Sequence, residues 1–509
     1  MSSKIKIITA LIILNFQLSI LNSHAATYYI APDGNDANSG SIESPFATLN
    51  KAQSLVAAGD TVYFRGGTYQ ISVSQVMEYN SIFARVFKMS KSGTSSKPIC
   101  YFGYPNERPV FDMSAVNPAG YRVYVFYVSG NYLRFKNFEV IGTMVNITDH
   151  TQSECFHNEG SNNVYENLAM HDGMAIGFYL TKGSNNLVLN CDAYNNYDSV
   201  SENGAGDNVD GFGGHANSES YTGNVFRGCR AWYNSDDGFD LINNKAAYVI
   251  ENCWALKNGY SSDDKSRGNG AGFKSGGYGM SESPSVPTTI PRNVIRFCLA
   301  VDNKAQGFYA NHHLGGLDFY NNTAYRNSAN FNMVNRQISP LTPATDVGGY
   351  GHNIKNNVSY LPRSSSSHCI NINTSESTVQ NNTWQMSSLS SSDFVSVADY
   401  FAQMTSPRNP DGSLPDIDLL KPSATGCLID KGQDVGFPYD GDAPDLGYRE
   451  YYAPTAVENI VFDRDKPVKS VEYYNIAGQK TVSEAKGLVI VRTVYCDNST
   501  HCEKKIIIK

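Results

Sequence analysis

The feature that most narrows what this chain can fold into is an internal repeat. Six segments carry a small residue inside a shared six-residue pattern: NLAMHD from Asn167, CDAYNN from Cys191, CRAWYN from Cys229, CWALKN from Cys253, CLAVDN from Cys298 and NTAYRN from Asn322. Weaker copies begin at Asn357 and Asn382. The aligned positions are Ala169, Ala193, Ala231, Ala255, Ala300, Ala324, Ser359 and Trp384, spaced by 24, 38, 24, 45, 24, 35 and 25 residues. One basal unit of 24 residues with insertions in alternate copies explains the series. Self-similarity at this period means a solenoid whose units bury their apolar faces against one another. Within each unit the alternation is two-fold, with Cys229 and Ala231 inward and Arg230 and Trp232 outward, so the units are strands. The expected fold is all-β, a right-handed parallel β-helix. Composition agrees: 33 Tyr, 43 Gly and only 17% charged residues suit strands separated by many turns.

Stacked coils lie about 4.8 Å apart, so aligned residues become columns. One column comprises Asp172, Asn196, Asn234, Asn258, Asn303 and Asn327, whose side chains can bridge from coil to coil. Cys191, Cys229, Cys253 and Cys298 form another; stacked buried free thiols are the favoured reading over a disulfide or metal site. Gly177-Phe178, Gly211-Phe212, Gly238-Phe239, Gly272-Phe273 and Gly307-Phe308 mark a third, with Phe inward. After Asn196 and Asn258 about eleven extra residues precede the marker, which places inserted loops near 197–209 and 259–270 at one corner. Loops on a rigid scaffold are where binding residues concentrate.

The ends differ from the middle. Lys4 and Lys6, the apolar run Ile7 to Leu14 and Ser23-His24-Ala25 read as a signal peptide over residues 1–25. No cysteine follows the cut, so no lipid anchor is expected, and the protein is expected to be secreted, at the cell surface or in the periplasm. No later stretch is apolar for long enough to span a membrane. An amphipathic helix is expected at Pro45 to Val56, with Pro45 at its first position, capping the open coil stack. The β-helix is expected to occupy 26–450, and 451–509 to form a small β-rich module in which Cys496 and Cys502 could pair. Net charge is −8, which disfavours a nucleic-acid partner. A polyanion remains accessible to an acidic protein if a metal mediates.

Charges fall into register with the Gly-Phe marker. Two residues before the Phe stand Asp210 and Asp237 in neighbouring coils; one residue after the Phe stand Asp240 and Lys274; Asp236 adjoins Asp237. Four converging carboxylates repel one another unless a cation compensates, and an all-oxygen set suits calcium better than zinc. Lys274 follows an inward Phe and so faces the outer groove, where a nearby cation would lower its pKa as a lysine base requires.

These motifs, DNVDGF (Asp207 to Phe212), NSDDGFD (Asn234 to Asp240) and GAGFKSGG (Gly270 to Gly277), resemble those of family 9 polysaccharide lyases, the parallel β-helix pectate lyases and their relatives, and the similarity covers most of 27–450. The resemblance implies calcium on Asp210, Asp236, Asp237 and Asp240, Lys274 as the base, and β-elimination of an acidic pectic polysaccharide to 4,5-unsaturated uronides. It leaves open whether pectate or rhamnogalacturonan is cleaved. His215, Lys245, Arg267, Tyr309 and His312 are candidates for substrate contacts, and the enzyme is expected to act as a monomer. A β-helix glycoside hydrolase using an aspartate pair and a non-catalytic adhesin are the rival readings. The C-terminal module resembles tails that direct surface export of secreted Bacteroidota proteins.

Overall fold

A computed structural model describes residues 25–278, 285–339, 342–386, 389–452, 468–475, 480–481, 487–495 and 500–507, so the expected signal peptide and the Cys496–Cys502 pairing lie outside the described residues. The chain divides into a unit ending at Tyr451 and a second from Tyr452. Three long sheets of 12, 10 and 11 strands build the first unit, and each coil contributes one strand in turn to the first, second and third sheet. Pairing between successive coils is parallel throughout all three, apart from one antiparallel hairpin, Glu78–Asn80 with Phe83–Met89, at the start of the third. The second unit contains a four-stranded antiparallel sheet, Val468–Asn475, Lys480–Thr481, Gly487–Tyr495 and Thr500–Ile507. Among the described residues no helix is long and apolar enough to cross a membrane.

Register explains the repeat. Ala193, Ala231, Ala255, Ala300, Ala324 and Ser359 pair directly in the second sheet. The first copy is displaced by one: Met170, not Ala169, pairs with Ala193. Asp172 therefore takes the place of Asn195, a corner residue with positive φ, and its exposed carboxylate accepts from the Asn195 amide outside the buried column. From Asn196 onward the column is continuous. Asn196, Asn234, Asn258 and Asn303 each donate from Nδ2 to Oδ1 of the next member, ending at Asn327, at 2.9–3.1 Å. The same nitrogens donate to main-chain carbonyls of the preceding coil, at Met170, Ala193, Ala231 and Ala255. Burial makes these bonds obligatory, because an unpaired amide there has no water to turn to.

Cys191, Cys229, Cys253 and Cys298 are buried and free, as expected. Their column continues as a second amide ladder, Asn322 to Asn357 to Asn382. The Gly-Phe column extends in both directions, with Phe126, Phe156, Phe178, Phe212, Phe239, Phe273, Phe308 and Phe331 aligned in the third sheet.

Two elements depart from expectation. The helix is shorter, Leu49–Leu55, because Thr48 supplies the N-cap by accepting from Lys51 N at 3.2 Å. Pro45 stays in the preceding loop, where its carbonyl accepts from Asn35 N. The helix buries Leu49, Ala52 and Gln53. The last part of the first unit is a strap rather than further coils. Its Met404, Leu419, Leu428, Leu446 and Tyr448 pack over outward Trp254, Leu256, Leu299 and Val301 of the second sheet. Arg408 of the strap pairs with Asp192, as does Arg230, and despite burial the two guanidinium groups hold the Asp192 carboxyl down to about 2. Outward residues of the second sheet are thus covered, which Arg230 and Trp232 by alternation alone did not disclose.

If the amide ladder sets the stack, Asn258→Ala should cost about 2–4 kcal/mol, because it strips a partner from buried groups of Asn234, Asn303 and Ala231. Asp172→Asn, an exposed change that keeps a residue suited to the positive φ, should stay within about 0.5 kcal/mol. Denaturant unfolding midpoints of both variants beside the parent check the contrast.

Candidate active site

The site forms where the chain turns from the second sheet into the third. The corner after Asn234 runs Ser235-Asp236-Asp237-Gly238 before Phe239 enters the core, and Asp240 then faces outward. In these coils only glycine fits before the Phe. A Cβ on Gly211 would lie 2.7 Å from the Gly238 oxygen and 2.8 Å from Ala231 Cβ, and one on Gly238 would lie 2.7 Å from the Gly272 oxygen. This close coil-to-coil approach brings the neighbouring aspartates together.

Each carboxylate is held by the backbone of its own coil or the next. Asp210 Oδ1 accepts from Asp237 N at 3.1 Å, Asp237 Oδ1 from Ala271 N at 2.6 Å, and Asp240 Oδ1 from Ile242 N at 2.7 Å. Ligand oxygens of Asp210, Asp237 and Asp240 lie within 4.8 Å of one another, and all three residues are buried. Asp236 is placed differently. Its two oxygens accept from Asn208 N and Asn269 N, both at 2.8 Å, so it ties together the two inserted loops and lies beside the three-carboxylate group rather than in it.

Burial and mutual repulsion set the protonation of this group. Burial, then Asp240, Asp236 and Asp237, hold the Asp210 carboxyl well above the usual carboxylate range. Burial and the neighbouring carboxylates push Asp237 up to about 7, although Lys274 opposes them. Lys274 Nζ lies 3.0 Å from Asp240 Oδ2 and 3.1 Å from Asp237 Oδ2. Burial presses the lysine towards its neutral form, but the carboxylates of Asp240, Asp237, Asp236 and Asp210 outweigh that and raise its pKa well above the ordinary value. The contact with Asp237 lacks hydrogen-bond geometry, so Asp237 Oδ2 is buried without a hydrogen-bond partner. Three converging hard oxygens from buried carboxylates fit a hard divalent cation.

Lys274 opens onto a cavity of about 360 Å³ whose walls include Asp237, Asn269, Gln306, Tyr309, Asn311 and His312. Tyr309 is the strand partner of Lys274 in the next coil. Its hydroxyl pairs with His312 Nε2 at 2.8 Å, and His312 Nδ1 pairs with Asp346 Oδ1 at 2.7 Å. Burial, with opposition from Lys274, pushes Tyr309 up to about 12, so it is a neutral phenol. His215 stacks on Tyr179 with ring centroids 4.5 Å apart, and its Nε2 is buried without a partner. Burial lowers its pKa despite Asp240.

Like His215, the other two candidates are not among the walls of this cavity. Arg267 stacks over Tyr197 at 4.2 Å and donates to Ser261 Oγ, bracing one inserted loop against the other. Lys245 donates to Ser285 Oγ. Asn269, Asn311 and Asp346 escaped the sequence reading. Asn269 and Asp346 lie in insertions with no repeat register, and Asn311 carries no charge to single it out.

A buried carboxylate cluster beside a lysine, on the outer face of a parallel β-helix, defines a class of carbohydrate-active solenoid. The chain matches the family described as Pel9A-like, right handed beta helix region, over residues 28–357, and belongs to that family. It is 34% identical to pectate lyase L of Dickeya dadantii over 426 residues, covering 82% of this chain and 89% of that protein. It is 30% identical to pectate lyase PEL9 of Emericella nidulans over 334 residues, covering 60% and 74%. Among solved structures, a rhamnogalacturonan lyase aligns with a TM-score of 0.76 at 52% identity, covering 79% of this chain and 97% of that one. Pectate lyase Pel9A aligns with a TM-score of 0.67 at 33% identity, covering 84% and 97%.

The raised carboxyl of Asp237 makes stability depend on pH. Its folded pKa lies above the unfolded value of 3.8, so its contribution is full below about 4 and is lost as pH rises through about 7. In a chelator the melting temperature should fall across that interval. Added calcium should reverse the fall, because a ligand of the native state compensates the ionised cluster. Melting curves from pH 4 to pH 8, with calcium and with chelator, should therefore diverge as pH rises. Parallel curves would contradict the cluster's role.

Proposed function

We propose that the protein is a calcium-dependent polysaccharide lyase that cleaves the galacturonate-containing backbone of pectin, with pectate as its main substrate. The observation that carries this reading is the convergence of Asp210, Asp237 and Asp240, two of which pair with Lys274. The curated pectate lyases above support the substrate. Asp210, Asp237 and Asp240 would hold the ion, and Asp236 adds a fourth carboxylate that keeps the loops 197–209 and 259–270 at its rim. Calcium, when bound, would neutralise the carboxylates that keep Lys274 protonated and withdraw electron density from the uronate carboxylate.

Lys274 Nζ then removes the proton from carbon 5 of the uronate. The C–H electron pair becomes the double bond between carbons 4 and 5, the bond from carbon 4 to the glycosidic oxygen breaks, and that oxygen takes a proton from solvent. Lys274 afterwards returns its proton to water. Tyr309 and His312 bound the sugar on one side; His215, its Nε2 buried, stacks behind Tyr179. Export through the segment 1–25 fits an enzyme for a polymer outside the cell, and the chain works as a monomer.

A second reading, cleavage of the rhamnogalacturonan backbone, is favoured by one observation: the solved structure sharing 52% of aligned residues carries that name. Both polymers should be assayed at the unsaturated-product absorbance. Lys274→Ala should lose about 10²–10⁴-fold in kcat. Lys274→Arg should fail equally near neutral pH, because a guanidinium stays protonated. Chelation should abolish turnover and calcium restore it. A Lys274→Ala enzyme with near-parental rate would show that another group is the base, and cleavage without absorbance would favour a hydrolase.

A further inference from the structure

The oxygen that leaves in the elimination needs a proton at the bond that breaks, and Lys274 is poorly placed to return one. In a galacturonate ring the hydrogen on carbon 5 and the oxygen on carbon 4 project from opposite faces. A base set against the first cannot reach the second unless the ring turns over. The proton that comes from solvent therefore needs a separate carrier at the site.

The walls of the Lys274 cavity narrow the choice. Asn269, Gln306 and Asn311 are amides, which do not serve as proton donors in catalysis. Asp237 belongs to the carboxylate group read as holding the ion. His312 is engaged at both ring nitrogens, by Tyr309 and by Asp346. Tyr309 remains, a neutral phenol paired in register with Lys274 in the next coil.

The partners of Tyr309 form a chain that leads to water. Its hydroxyl lies 2.8 Å from His312 Nε2, and His312 Nδ1 lies 2.7 Å from Asp346 Oδ1. Asp346 is half-exposed on the hairpin Asn335–Ser339 with Thr342–Val347. The backbone is bent to make this chain. Asn311 and His312 both have positive φ, 55° and 54°, a conformation unfavourable for residues other than glycine. It is held by Asn311 Nδ2, which donates to the Gly276 oxygen at 2.6 Å, and by His312 N, which donates to the Val334 oxygen at 3.1 Å. The bend returns the imidazole to the residue three positions before it. Backbone strain of this kind persists where the surroundings hold it, and it clusters at functional sites.

We propose that Tyr309 is the general acid that protonates the leaving oxygen, recharged from solvent through His312, with Asp346 positioning the imidazole. The proposal rests on the lyase reading and holds for either backbone. Lys274 Nζ takes the carbon-5 hydrogen as a proton, and the C–H pair becomes the new double bond. The pair of the bond from carbon 4 stays on the glycosidic oxygen, which forms its O–H bond with the Tyr309 proton. The phenolate then takes the Nε2 proton of a doubly protonated His312, whose charge Asp346 compensates, and water restores that proton.

Initial rates of the parent, Tyr309→Phe and Asp346→Asn should be compared in calcium on pectate or rhamnogalacturonan, whichever the parent cleaves faster. Tyr309→Phe should lose about 10²–10⁴-fold in kcat with KM little changed. A ring that only bounds the sugar would show its loss in KM instead. Asp346→Asn should lose kcat by a smaller factor. The parent and Tyr309→Phe should also be run on a methyl galacturonide bearing a nitrophenyl ether at carbon 4, whose departing nitrophenolate needs no proton. On that ether the loss in Tyr309→Phe should largely disappear. A Tyr309→Phe kcat near the parent's on the polymer, or an equal loss on polymer and ether, overturns the donor. A parental kcat in Asp346→Asn overturns the relay. Calcium-dependent melting reports folding, and Asp346→Asn, on a half-exposed hairpin position, carries the test if Tyr309→Phe does not fold. Absence of unsaturated product when the parent meets both polymers removes the lyase reading itself, a failure seen without any variant and so distinguishable from that of the donor.

Discussion

Amide-to-amide hydrogen bonding along the coil axis is the interaction on which the rest of the structure depends. Asn196 to Asn327 form an uninterrupted ladder at one corner, and each Nδ2 is shared between the next amide and a main-chain carbonyl of the coil before. A slip by one residue would leave those buried groups unpaired and turn every strand's inward face outward. The ladder therefore does more than stabilise. It fixes the level at which each coil leaves the second sheet, and so the level at which Asp210, Asp237, Asp240 and Lys274 emerge a few residues later.

What the register assembles is unfavourable taken alone. Buried carboxylates in adjacent coils raise one another's pKa, and the lysine among them is held protonated. Such a site has its electrostatics arranged for a charge that arrives with the ligand. The scaffold tolerates this because the carboxylates also accept from the main chain of their own coil or the next, so the residues that repel one another are individually anchored. The strap covers the second sheet, and the two inserted loops border the corner from which the Lys274 cavity opens beside the third.

Much of this was legible because a solenoid writes its three-dimensional columns into linear spacing. The Ala, Cys, Asn and Phe columns, and the stacking of Asp210 on Asp237 and of Asp240 on Lys274, follow from counting residues. The count slipped at Asp172, where the first copy has no corner amide to hold it in phase. It was silent on the strap, whose residues do not repeat, and on Asp346, which an insertion carries over His312. Arg267 shows the converse limit: a cation beside the site by position, spent on Tyr197 and Ser261 within the loops. Side-chain partners between non-repeating segments have no period, so spacing cannot find them.

The coil register builds a site for elimination rather than for hydrolysis. Mass spectrometry of oligosaccharides released in heavy-oxygen water tests it most directly. Elimination adds no water, so the products should carry an unsaturated non-reducing end and no heavy oxygen introduced by bond cleavage, after correction for slow exchange at the reducing end. Saturated products with heavy oxygen incorporated stoichiometrically at the cleaved bond would contradict it.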